Sequence, residues 1–107
     1  MSSYTIYSFG THINARPPRE MPWVDCRSID NPHRPGRSEG SKVERVQRHP
    51  MFLPLVYQLM ELILEHGEAA AFCTWGRHRS VTVAEAAAGA LREIDYNVSV
   101  VHLGRKQ

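Results

Sequence analysis

The chain has 107 residues, of which 42% are hydrophobic and 22% charged, and its formal net charge is +2 at pH 7. This length predicts one domain, and no apolar run approaches the roughly 18 residues of a membrane-spanning helix, so we expect a soluble protein with no membrane partner. The N-terminus lacks both the basic and the apolar region of a secretion signal, which predicts a cytoplasmic location.

The first half of the chain predicts two strands and a long loop. Residues 4–9, YTIYSF, are β-branched and aromatic, alternate in character and stop at Gly10, as is typical of a strand. A second short apolar run, MPWVDCRSI at 21–29, predicts a buried strand that ends near Cys26 or Arg27, with Trp23 in the core. Residues 30–41, DNPHRPGRSEGS, predict a loop long enough to have a function.

Helices and strands alternate in the second half. A short helix is predicted at 41–49, and a longer one around 55–66, where apolar residues repeat at three and four positions and Gly67 follows. We expect Phe52 and Tyr57 to pack that helix against the sheet. A core strand at 68–74 that buries Phe72, a helix from Arg79 and a last strand at 95–102 follow. This order predicts the α/β class, with a small, mostly parallel sheet of about four strands flanked by helices.

The stretch CTWGRHRS, residues 73–80, joins the predicted core strand to the next helix. Ligands of parallel sheets bind beyond the carboxyl ends of strands, and a helix N-terminus favours an anion. Gly76 provides a tight turn, and the guanidinium of Arg79 can bind two phosphate oxygens at once. Thr74 and Ser80 add hydroxyl donors, and Trp75 offers a ring for a ligand. The stretch therefore predicts a site for a phosphate or sulfate ion or a small phosphorylated metabolite.

The same residues are compatible with catalysis. The spacing C-x5-R-S is that of cysteine-dependent phosphatases, in which Cys73 would be the nucleophile and Arg79 the phosphate ligand. Asp30 is the candidate general acid, although Phe72 stands where those enzymes usually have a histidine. An enzyme of this kind is the alternative to a binding protein without catalytic residues.

Two further interpretations use these positions. A purely structural one has Arg79 paired with an acid, Ser80 capping the helix and Cys73 packed as a buried hydrophobe. A zinc site is the other, but its spacing matches no metal-binding motif, so we expect no metal and no cofactor. The residues it would use are Cys26, His33, Cys73 and His78.

Segments along nearly the whole chain resemble the C-terminal domain of the RapZ family of RNase adapter proteins. They are S-F-G at 8–10, V-D-C-R at 24–27, N-P-H at 31–33, C-T-W-G-R-H-R-S-V at 73–81 and N-V at 97–98 before His102. The resemblance implies that residues 1–107 form a single domain of this kind, with a fold like a phosphofructokinase subdomain. Family members usually carry a preceding nucleotide-binding domain with a Walker loop, a motif that these residues lack, so we expect the C-terminal domain alone.

The resemblance also implies a binding function. In the family, this region binds small regulatory RNAs, senses glucosamine 6-phosphate and delivers RNA to a ribonuclease, and the proteins tend to form homo-oligomers. Trp75 stands where the family has glycine, and Val101 and Leu103 replace basic residues of the last strand. The family's ligand pocket matches His33, Thr74, Gly76, His78 and Arg79, with Asp25, Arg27 and Asn31 as supporting residues.

Overall fold

The computed structural model describes residues 3–29 and 39–104, with the side chains at 39–41 left aside. Four strands form one sheet in the order β2-β3-β1-β4, and every neighbouring pair is parallel. Helices flank this sheet, which confirms the predicted α/β class. The elements are β1 (Ser3–Gly10), β2 (Trp23–Asp25), α1 (Glu39–Arg48), α2 (Phe52–His66), β3 (Glu68–Cys73), α3 (Arg79–Glu93) and β4 (Asn97–His102).

The core lies between one face of the sheet and the helices α2 and α3. Every second strand residue faces this layer, as the two-residue period of a strand requires. The predicted end of α2 is confirmed, because Gly67 adopts a left-handed conformation (φ 85°) and its N–H donates to Ile63 O at 2.8 Å. No helix in the described part of the chain is long and apolar enough to cross a membrane. Core residues include Ile6, Val24, Leu59, Ile63, Ala69, Ala71, Val83, Ala84, Ala87, Ala88 and Leu91.

Two aromatic residues predicted to be buried are exposed. Trp23 is 58% exposed, because β2 is an edge strand of only three residues in which Val24 faces the helices and Trp23 faces the opposite way. Tyr57 is 57% exposed on α2, whose buried stripe runs instead through residues such as Leu59. The predicted burial of Phe52 and Phe72 is confirmed.

A fully buried serine links β1, β4 and α3 through a histidine. Ser8 Oγ lies 2.5 Å from His102 Nδ1, and His102 Nε2 lies 2.8 Å from Glu85 Oε1. A carboxylate can only accept, so Nε2 carries the proton, and Nδ1 of a neutral ring then accepts the Ser8 hydroxyl proton. The chain of two hydrogen bonds fixes the carboxyl end of β4 against β1.

Replacing Ser8 with alanine is expected to lower the free energy of unfolding by about 1–2 kcal/mol, because His102 Nδ1 loses its partner in a buried site. Urea denaturation measures the change. The exposed Ser99 on β4 is the matched control, and Ser99→Ala should change stability by less than about 0.5 kcal/mol. Equal effects of the two substitutions would contradict a role for this hydrogen bond.

Candidate functional site

Three glycines allow the backbone of the 73–80 segment to touch two other parts of the chain. A Cβ on Gly10, at the end of β1, would lie 2.4 Å from the carbonyl carbon of Trp75, and a Cβ on Gly76 would lie 2.6 Å from Gly10 N. A Cβ on Gly104, just after β4, would lie 2.7 Å from Gly76 O. We call Gly10, Gly76 and Gly104 the glycine junction. It holds the segment against the carboxyl ends of β1 and β4.

The buried thiol of Cys73 contacts both the turn at Gly76 and the start of α3. Its Sγ accepts the N–H of Gly76 at 3.2 Å and lies 3.2 Å from Ser80 Oγ. Cys73 is 2% exposed and Ser80 is fully buried. Ser80 therefore faces the thiol instead of capping the helix, and the side chain of the N-cap residue His78 makes no capping hydrogen bond either.

Arg79 lies beneath the segment and is only 7% exposed. Its Nη1 donates to the carbonyl oxygens of Ile29 at 3.1 Å and of Arg27 at 3.5 Å. These bonds tie the start of α3 to the turn after β2. Ile29 directly precedes residues 30–38, which contain Asp30, Asn31 and His33 and lie outside the described residues.

The solvent side of the segment is formed by other residues. Trp75 is half exposed, and its ring lies 5.1 Å from that of His12. Thr74 and His78 are partly exposed, and Arg77 is exposed. The structure thus brings Thr74, Trp75, Gly76, His78, Arg79 and Ser80 together at the N-terminus of α3.

Asp25 and Arg27 form a bidentate ion pair at the same carboxyl edge. Arg27 Nε and Nη2 donate to the two carboxylate oxygens at 2.9 and 2.8 Å, and the Arg27 N–H donates to Oδ1 at 2.9 Å. The guanidinium lies 5.2 Å from the centre of the Phe72 ring. The hydrogen bond from the Arg27 side chain is the main reason that the pKa of Asp25 is lowered.

This pair predicts a specific loss of stability in acid. Because the pKa of Asp25 is lower in the folded protein, its contribution is present above the unfolded value near 3.8 and disappears as the pH falls through the folded value. Arg27→Gln should therefore flatten the fall in unfolding free energy measured between about pH 5 and pH 2. The effect will be small because both side chains are well exposed. An unchanged acid profile in Arg27→Gln would contradict the assignment.

The contacts give less support to the zinc site and to the purely structural interpretation of the 73–80 segment. Among the described residues, no group of three His, Cys, Asp or Glu side chains could hold a metal ion, and His33 of the zinc hypothesis lies outside them. Burial raises the pKa of the Cys26 thiol far above its usual range, which disfavours the thiolate that a metal needs. The purely structural interpretation pairs Arg79 with an acid, but within the described residues Arg79 donates to carbonyl oxygens instead.

Sequence reasoning missed several features of the site. The sequence pattern indicates no role for Arg77, although it is the exposed arginine of the segment. The close approach at Gly10 and Gly104 and the bond between Ser8 and His102 were also missed. The S-F-G motif and the position of His102 after N-V were the available signals, but neither shows which atoms meet.

Fold and loop together define a class of protein: a small parallel α/β domain with a strand-to-helix loop, open to solvent, at the carboxyl edge of its sheet. The chain belongs to the RapZ C-terminal domain family, whose model matches residues 2–106. This membership confirms the resemblance found in the sequence.

The chain is also similar to curated proteins named nucleotide-binding protein. One from Novosphingobium aromaticivorans is 34% identical, covering 94% of this chain and 38% of the relative. One from Mycolicibacterium vanbaalenii is 32% identical, covering 98% of this chain and 39% of the relative. One from Syntrophobacter fumaroxidans is 44% identical over 45% of this chain. The chain therefore spans about two fifths of the length of the first and second of these relatives.

Proposed function

We propose that this chain is a sensor domain that binds a small phosphorylated metabolite, of the class of glucosamine 6-phosphate, at the 73–80 segment. The observation that supports it best is the start of α3, where the side chain of the N-cap residue His78 makes no capping hydrogen bond and which lies at the carboxyl edge of a parallel sheet. The free N–H groups of a first helical turn and its partial positive charge favour a phosphate. Membership of the RapZ C-terminal domain family agrees with this choice.

Each residue of the segment has a distinct part in this proposal. The phosphate would accept hydrogen bonds from the N–H groups of the first turn of α3 and from the Thr74 hydroxyl. The positive charges of the exposed Arg77 and the buried Arg79 would attract it. Trp75 would stack on the sugar ring, and His78 would bind a sugar oxygen. Gly76 and Ser80 would hold the loop in shape. His33 and Asn31, from residues 30–38, remain proposed contacts of the ligand. The ion pair of Asp25 and Arg27 would stabilise the carboxyl edge of the sheet beside it.

A thermal-shift panel tests this function. Glucosamine 6-phosphate at about 100 times its dissociation constant should raise the melting temperature by about 10–20 °C, because a ligand of the folded state stabilises it by mass action. Glucosamine without phosphate should give no shift, and inorganic phosphate or sulfate a smaller one. A panel of sugar phosphates that leaves the melting temperature unchanged would contradict the proposal.

RNA is the proposed macromolecular partner. As in the family, the chain would act as an adapter in the cytoplasm, and it would form a homo-oligomer. The charge distribution supports an RNA partner, because residues 1–49 carry eight of the thirteen Lys and Arg against five acids. Arg16, Arg19, Arg34 and Arg37 are the proposed phosphate contacts. Four such contacts to a single strand predict that log affinity falls with log salt with a slope of about −3. No retention of RNA at low salt in a gel-shift assay would remove this partner.

A cysteine-dependent phosphatase is the second candidate. It is favoured by the position of Cys73 beside the start of α3, where its sulfur accepts the Gly76 N–H at 3.2 Å and lies 3.2 Å from Ser80 Oγ. An enzyme would hydrolyse an aryl phosphate, and Cys73→Ser would abolish that activity. The absence of turnover between pH 5 and pH 8 would exclude this candidate.

A further inference from the structure

The sheet face away from α2 and α3 carries aromatic rings and arginines; we call it the open face. Phe9 and Phe72 stack there with their ring centres 5.4 Å apart, and Trp23 meets Phe72 edge-on at 5.2 Å. The guanidinium of Arg16 lies 5.3 Å from the centre of the Phe9 ring. The connection from β1 to β2 thus passes over this face. On this face, between the strands and residues 16–21, lies a cavity of about 550 Å³, within the usual range for a small-molecule site.

Three kinds of chemistry line this cavity. Trp23 presents an aromatic ring that is more than half exposed, with Phe9 beside it. Arg16 and Arg19 bring two cations, and Glu20 brings one carboxylate. Flat rings bind a nucleobase by stacking, arginines bind phosphate, and a carboxylate accepts hydrogen bonds from ribose hydroxyls.

The two arginines are held differently. Arg16 donates to the carbonyl oxygens of Gly10, Thr11 and Ala15, each at 3.0 Å, and to that of Ile13. The backbone therefore fixes its charge in place, and no acid among the described residues pairs with it. Arg19 pairs with Glu68 but keeps more than half of its side chain exposed. A phosphate that binds here would contact the fixed guanidinium of Arg16 and the more exposed guanidinium of Arg19, which can turn towards it.

We propose that this cavity is a second ligand site, for a ribonucleoside monophosphate, with the base on Trp23, the phosphate at Arg16 and Arg19, and the ribose hydroxyls at Glu20. The three lining chemistries match the three parts of that ligand, whereas a sugar phosphate has no flat aromatic base to stack on the Trp23 ring. The described residues that line the cavity come from the strands β1, β2 and β3 and from residues 16–21, and none belongs to the 73–80 segment. The site therefore goes beyond the proposed phosphosugar function.

Titration of the protein with adenosine 5′-monophosphate in a calorimeter tests this site. We expect saturable binding of one equivalent, with adenosine and ribose 5-phosphate each binding about tenfold more weakly, since each lacks one of the matched parts. Trp23→Ala should weaken binding of the nucleotide by about tenfold. Tyr57→Ala is the matched control, because it removes an equally exposed aromatic from α2, and it should leave the affinity unchanged.

Glucosamine 6-phosphate should not displace the nucleotide, so a failure of the 73–80 site and a failure of this one are distinguishable. No heat of binding up to millimolar nucleotide would overturn the proposal. An affinity unaltered in Trp23→Ala would also overturn it, as would binding of an RNA oligonucleotide at Trp23 without binding of the mononucleotide.

Discussion

Replacing Gly76 with alanine is expected to lower the free energy of unfolding by about 2–5 kcal/mol. Gly76 has φ +69°, where a side chain costs about 1–2 kcal/mol, and its new Cβ would lie 2.6 Å from Gly10 N and 2.7 Å from Phe9 C. Both neighbours are backbone atoms of β1, so relief requires the junction to open, at a further cost of about 1–3 kcal/mol. Urea denaturation measures the loss.

Gly89→Ala is the matched control for this prediction. Gly89 lies within α3 and a Cβ there meets nothing within 4 Å, so alanine should stabilise the protein by about 0.5–1 kcal/mol. Because the two substitutions add the same methyl group, their opposite signs show that the loss at Gly76 comes from its positive φ and its backbone contacts together, and not from the methyl group itself. A Gly76→Ala protein as stable as the wild type would contradict the close approach of the 73–80 segment to β1.

Replacing Arg79 with lysine is expected to weaken binding of glucosamine 6-phosphate by about tenfold or more, as measured by calorimetry. Lysine keeps the charge but loses the planar guanidinium that bonds to Ile29 O and Arg27 O, so the start of α3 would no longer be fixed to the turn after β2. The variant should also unfold at a lower temperature, because two carbonyl oxygens lose a donor.

Arg92→Lys separates this effect from a general loss of stability. Arg92 is in the last turn of the same helix and also donates to a backbone carbonyl, that of Val98, at 2.7 and 3.0 Å. The substitution should reduce stability while leaving the affinity for the sugar phosphate unchanged. Equal losses of affinity in the two variants would mean that Arg79 acts through the fold alone.

The order of elements could be predicted from the sequence because local patterns carry it. Apolar periodicity and Gly67 located α2 to within a few residues, and the apolar run at 68–74 gave β3. The exposure of Trp23 could not be predicted in this way. The composition of a short apolar run does not tell whether a residue such as Trp23 faces the helices or the open face of the sheet. That depends on the position of β2 at the edge of the strand order β2-β3-β1-β4.

The candidate site was predictable in its position but not in its contacts. The strand-to-helix pattern at 73–80 located the segment at the carboxyl edge, where the structure has it. The partners of Arg79 are the carbonyls of Arg27 and Ile29, about fifty residues away, and no local pattern encodes which backbone oxygens come within reach. The glycine junction depends in the same way on three distant segments meeting.

The most direct test of the phosphosugar site is a titration of the ¹⁵N-labelled protein with glucosamine 6-phosphate, followed by amide chemical shifts. The proposal predicts saturable shifts concentrated on residues 74–81, at the start of α3, with no change at the open face near Trp23. Shifts confined to other residues, or a spectrum unchanged at millimolar ligand, would contradict it.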